Sequence, residues 1–157
     1  MLTPRARRRL RALVIAAAGA IACTLLPARA PAAAVLVITA PGSEPAAITS
    51  DELALVYRRQ KTLVDGTRVQ PVNLPAAHPL RRWFSQQVLG QPPEAMEGYW
   101  RDLYFNGVVP PFVLASEEAV IRFVASTPGA IGYVSACPGD KRVRVLMQLD
   151  GGPPCPR

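Results

Sequence analysis

The chain holds a single histidine, His78, and it stands three residues ahead of Arg81 in the run Asn73-Leu74-Pro75-Ala76-Ala77-His78-Pro79-Leu80-Arg81-Arg82-Trp83-Phe84. Pro79 suits the first position of a helix, where the missing proline N–H costs nothing. Leu80, Phe84 and Val88 recur every fourth residue, and Gly90 stands where a C′ glycine belongs, so a helix is predicted from the His78 region to Gly90. Its start presents free backbone N–H groups and partial positive charge, which is chemistry for holding an oxyanion. Arg81 in the first turn adds a bidentate donor, and His78 adds a donor when protonated, so that binding strengthens below neutrality. The candidate ligand-binding residues are therefore His78, Leu80 and Arg81, the last two also through their N–H groups; Pro79 offers none. The same spacing equally describes an ordinary helix start with Arg81 on its surface.

No second constellation competes with this one. Asp51, Glu52, Glu117 and Glu118 all fall at helix starts, where capping and the helix dipole account for them. No paired carboxylates and no nucleophile beside a base are visible, so the chain is not expected to be an enzyme or to need a cofactor. One histidine and separated cysteines do not make a metal-ligand set.

The N-terminus reads as an address. Five arginines lie in the first eleven residues, an uncharged stretch runs from Ala12 to Leu26, and small residues follow at Ala28-Arg29-Ala30 and Ala32-Ala33-Ala34. This is the layout of a secretory signal, too short for a comfortable membrane span. Residues 1–34 are expected to be a signal peptide and residues 35–157 one domain, exported to the periplasm; an uncleaved anchor is the alternative. Ala20-Ile21-Ala22-Cys23 only loosely matches a lipoprotein box, so lipidation of Cys23 stays open. Six of the 18 basic residues precede Ala34 and none of the 11 acidic ones do, leaving the remainder near neutral at twelve against eleven. The high pI therefore belongs to the signal and gives no support to nucleic-acid or anionic-membrane binding. Cys137 and Cys155 survive processing; an even count in an exported chain suggests a disulfide, with two free thiols as the alternative.

The elements that must position His78 to Arg81 follow from pattern. Val35-Leu36-Val37-Ile38-Thr39 reads as a strand buried on both faces. Thr49-Ser50-Asp51-Glu52 has the form of a capping box, opening a helix that turns Leu53, Val56 and Tyr57 inward and ends in Arg58-Arg59-Gln60-Lys61. Those cations read as dipole complements and solvated surface. Asp65-Gly66 is a hairpin turn, and Pro71 in the strand that follows points to a sheet edge or a short strand. Pro92-Pro93-Glu94 opens a helix with Met96, Tyr99, Trp100 and Leu103 inward, and Trp100 and Tyr104 as core or core-edge aromatics. Val108-Val109-Pro110-Pro111 is a connector. Ser116 caps a helix burying Val120, Phe123 and Val124. Pro128-Gly129 then turns into the strand Ala130-Ile131-Gly132-Tyr133-Val134, where Gly132 suggests close approach by another backbone or a ligand, or simple packing. A last strand runs from Val143 to Leu149. The order β-α-β-β-α-α-α-β-β predicts a mixed α/β sheet with packed helices.

The sequence resembles small periplasmic proteins related to the substrate-binding protein of phosphate ABC transporters. The pieces are Glu52-Leu53 with Val56-Tyr57, Asp65-Gly66, Pro71-Val72, Pro79-Leu80-Arg81 with Phe84, Val88-Leu89-Gly90, Tyr99-Trp100 and Pro128-Gly129-Ala130-Ile131-Gly132-Tyr133-Val134, in that order from about Val35 to Leu149. The resemblance implies a periplasmic-binding-protein type II-like fold, a single compact lobe-like α/β domain. It also implies phosphate or a similar oxyanion as ligand, and an ABC transporter permease or another envelope protein as partner. Full-size relatives carry an Arg-x-Asp-x-Ser-Gly-Thr loop on the phosphate. Here Leu74, Ala76, His78, Pro79 and Leu80 stand in the places of Arg, Asp, Ser, Gly and Thr, while Arg81 matches the short relatives. The alternative implied by that erased loop is an envelope interaction module that no longer binds phosphate.

Overall fold

The computed structural model describes residues 34–136 and 140–153; Cys23, Cys137 and Cys155, and with them the expected disulfide and the signal segment up to residue 33, lie outside the described residues. Seven strands and four α-helices follow one another as β1 (Ala34–Thr39), α1 (Ser50–Tyr57), β2 (Leu63–Val64), β3 (Thr67–Arg68), β4 (Gln70–Asn73), α2 (Pro79–Phe84), α3 (Glu97–Phe105), β5 (Phe112–Val113), α4 (Glu117–Ser126), β6 (Ala130–Ser135) and β7 (Arg144–Asp150). Five strands form one sheet in the order β5-β4-β6-β1-β7, and β2-β3 is a separate hairpin. β4 is parallel to both β5 and β6, whereas β1 is antiparallel to β6 and β7. This is the mixed α/β sheet the element pattern predicts.

Burial explains the strands. Every residue of β6 is buried, as is all of β1 except the half-buried Leu36, because helices cover both faces of the sheet. Successive residues of a strand face opposite sides. On one side the ring of Tyr133 stacks on Phe84 of α2 at 3.8 Å and lies 5.9 Å from Tyr57 of α1. On the other, Gly132 meets α4: a Cβ there would sit 2.5 Å from Val120 Cγ1 and 3.1 Å from Val124 Cγ2. The close approach signalled by Gly132 is thus packing by side chains, those of α4 and that of Val72 on β4 at 3.2 Å. Gly129, at φ +76°, turns under the carbonyl of Arg68, which a Cβ would meet at 2.3 Å.

The helix signals hold in detail. Thr49 accepts from the Glu52 N–H at 3.2 Å and its own N–H donates back to the Glu52 carboxylate at 3.2 Å, so the capping box is complete. Ser116 caps α4 through the Ala119 N–H at 3.2 Å. The predicted helix from Pro79 runs as α2 for six residues and continues as a π-helical turn, Ser85–Leu89, closed by Gly90 at φ 70°. The wider turn shifts the inward register by one residue, so Leu89 is buried where the every-fourth spacing pointed to Val88.

Two expectations are corrected, the edge position of β4 and the core position of Tyr104. β4 is the short strand that Pro71 pointed to, four residues long, but it lies between β5 and β6 and not at a sheet edge. The Gln70 N–H donates toward β6, to Gly129, and the Asn73 carbonyl accepts from Leu114 on the β5 side. Alternation turns the donor-less Pro71 nitrogen to the β5 side, below the first β5 pairing at Val72–Phe112, so no ladder bond is lost. Residues 108–111 are a connector as expected, and β5, which follows directly, is too short to show a period. Tyr104 is surface, 65 % exposed, because α3 has no fully buried residue.

The two tight glycines give an ordered prediction for chemical denaturation. Gly132→Ala is expected to cost about 1–3 kcal/mol by overpacking against Val120. Gly129→Ala is expected to cost more, since it meets a backbone carbonyl and also forces a side chain into left-handed geometry.

Candidate functional site

Parallel β4, β5 and β6 end on the same side of the sheet, and the loop carrying His78 leaves from there. Apolar Val72 ends its strand in Asn73, whose side chain is turned inward and 3 % exposed. The Asn73 side-chain oxygen accepts from the Tyr133 hydroxyl at 3.2 Å and from an Nη of Arg81. The Tyr133 oxygen in turn accepts from the Leu74 N–H at 3.3 Å. The loop then buries Leu74 and Leu80, so its apolar residues are anchors and the polar chemistry falls to His78 and Arg81.

Arg81 is 7 % exposed, so it does not lie on the surface of α2. None of the ion pairs among the described residues includes it. Its resolved protein partner is the neutral Asn73 amide. Among the described residues the fully buried side-chain polar atoms without a partner are Arg59 Nε and Ser85 Oγ, and no Arg81 nitrogen is among them. Glu117, at the start of α4, accepts from the Ser135 N–H at 2.7 Å and the Ser135 hydroxyl at 2.9 Å. That carboxylate is committed to the end of β6. A guanidinium held inside the protein by neutral groups is a ready partner for an anion from solution.

His78 and Leu80 take a different arrangement from the expected one. The Leu80 N–H, predicted to face a ligand, donates to His78 Nδ1 at 3.2 Å, and His78 serves as the N-cap of α2. A histidine accepting at Nδ1 donates only from its other nitrogen. The structure therefore brings Arg81 together with Asn73 and Tyr133, two residues sequence reasoning did not assign to the site, and leaves His78 at the rim. An Asn closing an apolar strand directly before the candidate loop was the available signal for Asn73. Tyr133 read as a strand former and gave none. The cavities lined by Ser50 and Trp83, by Arg59 and Phe112, and by Ala40 and Pro128 do not include His78, Leu80 or Arg81.

Burial sets the electrostatics of the two tyrosines beneath. It pushes the Tyr57 hydroxyl well above its ordinary value, and Tyr57 donates to the Val72 carbonyl at 3.1 Å. Burial also raises Tyr133, against the opposing pull of the neighbouring Arg81 charge.

No family model and no curated protein matches the chain. Solved structures do. An ABC-type phosphate transport receptor from Vibrio cholerae superposes with a TM-score of 0.58 at 16 % identity, over 73 % of this chain and 46 % of that one. A phosphate ABC transporter substrate-binding protein from Clostridium perfringens, with bound phosphate, gives 0.58 at 17 % identity, over 73 % and 45 %. PstS from Borrelia burgdorferi gives 0.52 at 20 % identity, over 67 % and 42 %. The fold is that of these phosphate-transporter binding proteins, and the chain spans less than half the length of each. Among the described residues no helix is long and apolar enough to cross a membrane.

The raised tyrosines predict alkaline instability. Their folded-state values lie above the unfolded one, so the stabilisation they report is complete below about pH 10 and lost as pH rises beyond it. Urea midpoints are expected to fall steeply above that pH, and Tyr57→Phe should flatten the fall while lowering stability near neutrality by about 1 kcal/mol through the lost hydrogen bond.

Proposed function

We propose that the chain is a non-enzymatic oxyanion-binding lobe of the phosphate-transporter type, exported to the periplasm by residues 1–34. The observation that carries the reading is the buried Arg81 guanidinium, which lacks a carboxylate partner among the described residues. Phosphate or a similar oxyanion binds at its free edge, where the β4 loop opens. His78 and Leu80 flank that edge at the start of α2, where the Leu80 N–H donates to His78 Nδ1 at 3.2 Å. The neighbours supply the ligand class: one is a phosphate transport receptor and another holds bound phosphate.

A second reading is a lobe that docks on an envelope partner, such as a transporter permease, without phosphate. It is favoured by a run of exposed apolar side chains between the end of α3 and β5: Phe105 at 82 %, Phe112 at 67 % and Val113 at 60 %. Isolated apolar side chains are ordinary on a surface, but a cluster of this kind marks interaction sites.

Calorimetric titration of inorganic phosphate separates the two. The oxyanion reading predicts saturable binding with a dissociation constant of about 1 mM or tighter. Arg81→Gln should abolish the heat. Asn73→Asp should also abolish it, by giving Arg81 an internal carboxylate, and this variant should remain folded because it pairs a buried charge. Absence of heat in the parent chain, or undiminished heat in both variants, would sink the oxyanion reading and favour the docking lobe.

A further inference from the structure

The opposite pole of β4 carries a second feature that the oxyanion site does not use. A cavity of about 450 Å³ lies against Pro71 and is walled by Val109, Pro110 and Phe112, with Arg59 and Arg68 in its lining and no carboxylate. That volume is in the range of small-molecule sites. The cations at the end of α1 read as solvated surface in the sequence, but two of the three are accounted for internally. Arg58 donates to the Leu89 carbonyl at 2.9 Å and Lys61 pairs with Glu52. Arg59 remains, with its Nε fully buried and without a partner.

The backbone at Arg59 is unusual as well. Its N–H bonds the Val56 carbonyl and the Gln60 N–H bonds the Leu55 carbonyl, which is the helix-ending pattern whose left-handed residue is usually glycine. Arg59 occupies that position at φ +60°. A long cationic side chain thus stands where helix termination alone favours no side chain. Arg68, across the cavity lining on β3, also belongs to none of the ion pairs among the described residues. Neither guanidinium has a carboxylate partner among the described residues, Arg59 is part-buried and Arg68 exposed, and beside proline and aromatic walls they suit one anionic head on an apolar body.

We infer that this cavity binds a small organic carboxylate, with Arg59 and Arg68 on the carboxylate and Phe112, Pro110 and Val109 against its apolar part. The inference is independent of the Arg81 reading, since the two sites lie at opposite ends of β4.

The test is an NMR titration of the protein with benzoate, acetate and benzyl alcohol as probes. Benzoate is expected to shift the amides of Arg59, Arg68 and Phe112 saturably, at least about tenfold more tightly than acetate or benzyl alcohol, because each lacks one half of the recognition. Arg59→Gln and Arg68→Gln should each weaken benzoate by about tenfold or more through loss of a charge-assisted contact. Arg59→Gly separates site from scaffold: it relieves the left-handed strain, so the thermal midpoint should rise while benzoate binding still falls. Inorganic phosphate should leave the cavity amides unmoved, whatever it does at Asn73 and Arg81. No saturable shift at these residues, equal response to benzyl alcohol or phosphate, or undiminished binding in both glutamine variants overturns the inference.

Discussion

A guanidinium buried beside neutral groups is the constraint around which this molecule is arranged. Removing an unpaired charge from water costs several kcal/mol even after the protein relaxes. Asn73 and Tyr133 offset part of that cost by presenting oxygens on the inside, and both are fixed by the sheet: one ends β4, the other lies in β6. Tyr133 is in turn stacked on Phe84 of α2, the helix that carries Arg81. The core and the site are therefore one piece. The aromatic stack that packs α2 onto the sheet also sets where the arginine can reach.

Much of this was legible in the sequence where one residue type does one physical job. Thr49 with Glu52, Ser116, Asp65-Gly66 and Gly90 each announce a cap or turn that local backbone chemistry dictates, and each stands where it was read. The sheet was legible from runs such as Val35 to Thr39 because burial on two faces needs continuous apolar residues. What was not legible depends on partners distant in sequence. The two residues of β5 carry no period. The π-helical turn after Phe84 changes which residue faces inward without changing composition. Arg81 reads as a surface residue or a ligand contact until Asn73, eight residues earlier, is seen to hold it inside.

The carboxyl ends of parallel β4, β5 and β6 lie on one side of the sheet, the region where open α/β sheets bind ligands. The chain spans less than half of each solved structure it resembles. A buried guanidinium without a carboxylate partner among the described residues fits binding of a small anion. At the other end of β4 a cavity joins cations to apolar walls, which is a different chemistry. The same short strand thus separates a polar pole from an amphipathic one.

The most direct measurement is a crystal structure of the protein grown with tungstate, a heavy oxyanion whose position is read from anomalous scattering. The account predicts a peak within hydrogen-bond reach of the Arg81 guanidinium, with Asn73 and Tyr133 still bonded beneath it. A map with no peak there, and Arg81 satisfied by Asn73 and water alone, would contradict it.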